Sequence, residues 1–162
     1  MAERRHRLEY IVDTSVLVNI RDVHHDSAEI WLHFTNAIVN GRVRTIRQVW
    51  DELESRFNEI AIRLKGYKRQ FVLPDDVTYT AGVVAEVRDL NRNHSNLWNP
   101  VGGRNPADPF LIAVAKDLNA IVVTDEKRQG SGFQRRIPYV CTRRNVGCTD
   151  RLDFLRNIGC NV

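Results

Sequence analysis

Asp13, Glu52, Asp108 and the pair Asp125 and Glu126 are spaced along the sequence where carboxylates can do chemistry. Glu54 shares a helical stretch with Glu52 and is an alternative to it. Carboxylates gathered at one point repel each other and resist simultaneous ionisation. A divalent cation among them removes that conflict. A ligand set made only of oxygen selects hard ions, Mg²⁺ or Mn²⁺ rather than zinc. Such an ion can polarise a phosphodiester oxygen, acidify a bound water and steady a leaving oxygen. This chemistry needs neither histidine nor cysteine, and none of the five histidines adjoins these acids in the sequence. Each acid also has a plainer role. Asp13 can cap a helix, Asp108 in Asn-Pro-Ala-Asp-Pro suits a helix N-terminus, and Glu52 and Glu54 suit a helix surface. The functional reading rests on the set and its order.

The elements that must position these acids follow from apolar spacing. Leu8 to Val12 reads as a buried strand ending on Asp13. Thr14 and Ser15 can cap a helix that begins near Val16. Ser27 to Val39 has helical spacing, with Gly41 as its stop. Arg44 to Val49 reads as a short extended piece, and Trp50 to Leu64 as one helix or two short ones. Phe71 to Leu73 is a small strand or a loop. Thr78 to Leu90 is helical, Asn91 to Asn105 a polar loop, and Ala107 to Leu118 a strong helix with proline in its first turn. Ala120 to Thr124 is a buried strand, Gln129 to Phe133 a Gly-Ser loop, Ile137 to Cys141 a last strand and Asp150 to Ile158 a last helix. Strands alternating with helices imply a parallel sheet covered on both faces, in one α/β domain spanning 1–162. Ligands of such sheets bind beyond the carboxyl ends of the strands. That edge is where Asp13 and Asp125 or Glu126 would project, with Asp108 able to reach it.

Composition sets outer bounds. The chain has 162 residues, 43% hydrophobic and 27% charged, enough for a core and an ordinary polar surface. No apolar run approaches the roughly 18 residues that span a bilayer. The charged start lacks a secretory h-region, so a cytoplasmic location and no membrane partner are expected. Cys141, Cys148 and Cys160 lack the close pairing of a zinc knuckle and read as buried free thiols. A balance of 24 basic to 20 acidic residues, with a pI near 9.2, is compatible with nucleic acid. Arg4, Arg5 and Arg7, Arg42, Arg44 and Arg47, Arg63, Lys65, Lys68 and Arg69, and Lys127, Arg128, Arg135 and Arg136 form basic groups. They are either phosphate contacts or solvated faces.

Four stretches in order resemble the PIN-domain family: Ile-Val-Asp-Thr-Ser-Val-Leu-Val-Asn (11–19), Val-Trp-Asp-Glu-Leu (49–53), Ala-Asp-Pro-Phe-Leu-Ile-Ala-Val-Ala (107–115) and Val-Val-Thr-Asp-Glu (122–126). The tail, Ile-Pro-Tyr-Val-Cys with Asn-Val-Gly-Cys, resembles a PIN-like subgroup. The resemblance implies a three-layer α/β/α sandwich around a parallel sheet. It also implies a Mg²⁺- or Mn²⁺-dependent endoribonuclease, a hydrolase of RNA phosphodiester bonds similar to the VapC-type toxin of a type II toxin–antitoxin pair. By the same resemblance Asp13, Glu52, Asp108 and Glu126 are the metal-binding, catalytic acids. The family has Thr, any residue, then Asp at the last place; here Glu126 stands there, Asp125 holds the variable position, and either side chain could reach the ion. Thr124 and Ser15 either orient a water or a carboxylate, or cap backbone groups. The partners implied are RNA, a cognate antitoxin and a second copy in a homodimer.

Rival functions lack their residues. A haloacid-dehalogenase-type phosphatase needs a second Asp two positions after Asp13, where Ser15 stands. A Rossmann nucleotide site needs glycines after the first strand, and Asp-Thr-Ser-Val has none. The remaining alternative is a catalytically degenerate PIN-like module that binds RNA or a protein partner.

Overall fold

The computed structural model describes residues 7–94, 107–127 and 136–162. Three short strands form most of the sheet: β1 (Tyr10–Val12), β2 (Val43–Arg44) and β3 (Ile121–Val123). With β4 (Cys148–Thr149) they form a sheet of order β2-β1-β3-β4. All three pairings are parallel, with Ile11 beside Arg44 on one side and Val122 on the other, and Val122 beside Cys148. Parallel neighbours need long crossovers, which are here helical. Each residue of β1 is buried, as a strand covered on both faces requires.

Successive side chains of β1 point to opposite faces. Tyr10 meets Phe154 of α10 (Arg151–Asn157) edge-on at 5.1 Å. Phe154 in turn meets Phe34 of α2 (Ala28–Val39), and Phe34 meets Phe71 of the short α5 (Lys68–Phe71). This aromatic cluster makes one helical layer. The other is built on α8 (Ala107–Leu118), whose buried side chains include Leu111, Ile112, Val114 and Ala115. It packs with α7 (Ala81–Asn93) and α9 (Ile137–Arg143) against β1 and β3. The result is a PIN-like α/β/α sandwich, as the sequence led us to expect.

Helix α1 (Thr14–Asp22) starts directly after β1, and α3 (Arg47–Arg56) is followed at once by α4 (Asn58–Leu64). Phe57 separates the last two with φ −135° and ψ 50°, so the expected Trp50–Leu64 stretch is indeed two short helices. Gly41, at φ +75°, ends α2 as expected.

Several expectations need correction. Ile137–Cys141 is helical, not the last strand; Pro138 sits in its first turn, where its missing N–H has no helical partner to lose. The last strand is β4, a two-residue piece too short to show alternation. The second extended piece is Val43–Arg44, and the helix already begins at Arg47. Thr45 adds a bridge to Val72, so the Phe71–Leu73 stretch does pair. Asp13, rather than Thr14 or Ser15, caps α1. A short α6 (Asp75–Thr78) precedes α7, which begins at Ala81 and runs on to Asn93, into the expected loop. The rest of that loop to Asn105, and Gln129–Phe133, lie outside the described residues. Cys141 and Cys160 are buried and Cys148 is half-buried. Among the described residues no helix is long and apolar enough to cross a membrane.

Candidate metal centre

Asp13 leaves β1 at its carboxyl end and is almost wholly buried. Three donors hold its carboxylate. The Thr14 N–H reaches Oδ1 at 2.7 Å, and the Ser15 and Thr124 hydroxyls reach Oδ2 at 2.7 and 3.1 Å. Thr124 follows β3, the neighbouring strand, so the parallel register brings it to Asp13. The Ser15 and Thr124 hydroxyls also accept the backbone N–H groups of Asp125 and Glu126, at 3.1 and 3.3 Å. Both roles considered for these two side chains, orienting a carboxylate and capping backbone, are therefore filled together.

Glu52 arrives from the middle of α3. Thr14 donates its hydroxyl to Glu52 Oε2 at 2.6 Å, and Arg56, one turn further along α3, pairs with Oε1 at 3.2 Å. Glu54 points elsewhere: it accepts from the Trp50 indole and pairs with Lys68. Asp13, Glu52 and Glu126 line one hollow of about 300 Å³, together with Thr14, Ser15, Val18, Asn19 and Phe57.

Asp108 lies in the first turn of α8 and is also nearly fully buried. Its Oδ1 has no hydrogen-bond partner among the described residues. Burial drives its pKa well above the carboxylate range, and the charges of Asp13, Glu126 and Glu52 push it further. Asp13 is raised by burial against the pull of its three donors, with Glu52 adding repulsion. Glu126 is pushed up to about 7, chiefly by burial and then by Asp13, while the Ile137 N–H and Arg136 pull the other way. The Ile137 N–H donates to Glu126 Oε2 at 2.6 Å. The four acids thus feel one another's charge at a single edge of the sheet.

Asp125 faces away from this group. It accepts from Asn19 at 2.7 Å and from the Arg151 backbone at 3.2 Å, and forms an ion pair with the Arg151 guanidinium. Arg151 also donates to His24 Nε2 at 2.9 Å. A histidine therefore sits one residue removed from an acid of the set, which sequence distance concealed. Asn19 shares a helical face with Ser15 at i,i+4 spacing, a signal that could have found it. The i,i+4 spacing of Glu52 and Arg56 is equally visible. Nothing local marks Phe57 or Arg151.

Among the described residues no group of three His, Cys, Asp or Glu side chains is disposed to hold a metal ion as the side chains lie. The donor chemistry nonetheless fits a hard cation. The groups are oxygens only, burial raises Asp13, Asp108 and Glu126 with neighbouring acids adding to it, and Asp108 Oδ1 is a buried acceptor with no hydrogen-bond partner among the described residues. A buried carboxylate oxygen left this way is costly unless a partner completes it.

Sheet order and helical crossovers give the chain a PIN-like fold. The chain belongs to the family described as "Domain of unknown function (DUF4411)", whose model matches residues 10–162. A chain in the structure of VapBC-1 from nontypeable Haemophilus influenzae is similar in fold. The match covers 90% of this chain and 99% of that one, with a TM-score of 0.57 and 15% identity. None of the curated proteins matches the sequence.

Proposed function

We propose that this protein is a divalent-cation-dependent endoribonuclease that hydrolyses RNA phosphodiester bonds and acts as the toxin of a toxin–antitoxin pair. The observation that carries the reading is the oxygen of buried Asp108 that has no partner among the described residues, within the field of Asp13, Glu52 and Glu126. These four residues would hold Mg²⁺ or Mn²⁺. The ion, when bound, supplies an acidified water and charge stabilisation on the phosphoryl oxygens. The chain's own part is positioning. Ser15, Thr124 and the Thr14 N–H fix the plane of the Asp13 carboxylate, Thr14 fixes Glu52, and the Ile137 N–H fixes one oxygen of Glu126. Asp125 contributes by tying α1 to α10 through Asn19 and Arg151, which supports the loop that carries Glu126.

The reading draws support from the PIN-like fold and from the likeness to a chain of VapBC-1. RNA is its substrate, and a companion antitoxin its inhibitor; a homodimer and a cytoplasmic location belong to the same reading, as does one domain over the whole chain. The test is cleavage of single-stranded RNA by purified protein with Mg²⁺ or Mn²⁺, beside Asp13→Asn and an EDTA control. Metal-dependent cutting lost in Asp13→Asn supports it, and cutting that survives EDTA overturns the metal mechanism. Expressed without its companion, the wild-type chain arrests growth; abundant soluble wild-type protein in normally growing cells would favour the binding-only alternative.

A further inference from the structure

Resting on the ribonuclease reading, we propose that Arg56 is an RNA phosphate contact at the lip of the acidic hollow. It exchanges between Glu52 in the protein alone and a phosphate oxygen in the complex. The break after α3 turns Phe57 into the hollow beside Glu52, Asp13 and Glu126. The Arg56 guanidinium lies 5.6 Å from the centroid of that ring and 3.2 Å from Glu52 Oε1. Its side chain is 69% exposed, so a donor group tied to the hollow on one side faces water on the other.

Arg21 offers a control within the same structure. It too lies 5.6 Å from the Phe57 ring, but Asp22 and Glu59 both pair with it, and its side chain is only 26% exposed. Among the described residues Arg21 is matched by two carboxylates, Arg56 by one. An i,i+4 ion pair with so exposed a partner is weak, whereas a guanidinium binds phosphate through two charge-assisted hydrogen bonds. Phe57 keeps the guanidinium near the hollow in either state through its ring face.

The two Glu52 oxygens give the exchange a consequence. Thr14 donates to Oε2 and Arg56 to Oε1, so the guanidinium and a cation compete for the charge of Oε1 at the lip of the hollow. An RNA phosphate that draws Arg56 away uncovers Oε1, and binding of RNA and of the divalent ion become mutually reinforcing.

The experiment pairs two readouts of opposite sign. Binding of a short fluorescein-labelled oligouridylate is followed by anisotropy over a salt series, with Mg²⁺, in the Asp108→Asn background. Adding Arg56→Ala lowers affinity several-fold and flattens the log–log salt slope by about 0.7, one single-strand phosphate contact. Mn²⁺ binding to RNA-free protein with native Asp108, measured by calorimetry, tightens in Arg56→Ala because the competitor for Oε1 is gone. Arg56→Gln repeats both measurements with a longer polar side chain. An unchanged salt slope overturns the proposal, as does Mn²⁺ binding that weakens without Arg56. Cleavage by the wild type is scored beside these: no cleavage with an Arg56-dependent slope removes the nuclease reading and leaves the phosphate contact. Cleavage with no slope change does the reverse.

Discussion

Thr14 Oγ1 donates to Glu52 Oε2 at 2.6 Å, so the residue beside the first-strand aspartate orients a carboxylate 38 positions later in the chain. The Thr14 backbone N–H meanwhile serves Asp13. One residue thereby couples two acids of the hollow, one through its main chain and one through its side chain. Thr14→Val keeps the shape and the backbone bond but leaves Glu52 Oε2 without its donor. The expected stability loss is about 1 kcal/mol, read by urea denaturation. Mn²⁺ affinity falls with it, while Asp13 stays in place.

Glu126 gives the protein a pH dependence with a definite sign. Its ordinary value is 4.5 and the folded value about 7, with Asp13 and Asp108 raised as well. Groups raised on folding bind more protons in the native state, so stability present at low pH is lost as pH rises through the folded value. Without divalent cations the melting temperature therefore falls between about pH 4.5 and pH 7 on account of Glu126. Glu126→Gln makes that fall shallower in thermal scans. Saturating Mn²⁺ opposes it, because cation and proton compete for the same oxygens.

Asp108→Asn separates the burden of a buried charge from its use. Without cation, at a pH high enough to ionise Asp108, the neutral amide relieves repulsion from Asp13, Glu52 and Glu126, and the variant melts above the wild type. Added Mn²⁺ reverses the order. At about a hundredfold excess over Kd a ligand specific to the folded state stabilises by about 2.7 kcal/mol, and only the wild type gains it. A wild type whose melting point ignores millimolar Mn²⁺ would count against the metal centre.

Asp125 and Glu126, adjacent in sequence, should separate cleanly. Asp125→Ala strands the half-buried Arg151 and removes the partner of Asn19, a loss of roughly 3 kcal/mol for a broken buried pair. Its Mn²⁺-dependent stabilisation remains. Glu126→Gln retains stability near neutral pH and loses the Mn²⁺ response. Calorimetric scans of both variants with and without Mn²⁺ test the contrast.

Asp13, Asp108 and Glu126 were legible because they sit at element ends that apolar patterning marks well: the buried run to Val12, the helix from Ala107 and the strand before Thr124; Glu52, inside α3, has no such mark. Which of Asp125 and Glu126 turns to the hollow was not legible. That choice depends on Arg151 and Asn19, which reach Asp125 through tertiary packing. The misread Ile137–Cys141 stretch has the same origin. Its β-branched and aromatic residues suit a strand, yet its burial between α8 and β4 accommodates a short helix. Strands of two residues, such as β2 and β4, carry too little alternation to be found by period.

The central pairing of β1 with β3 joins the first tenth of the chain to its last third. A polypeptide still emerging from the ribosome exposes Asp13 and Glu52 long before Glu126 has been made. The Arg151 that secures Asp125 comes later still. Synthesis itself thus acts as a timer: an unfinished chain cannot assemble the acidic hollow before its last third has been made.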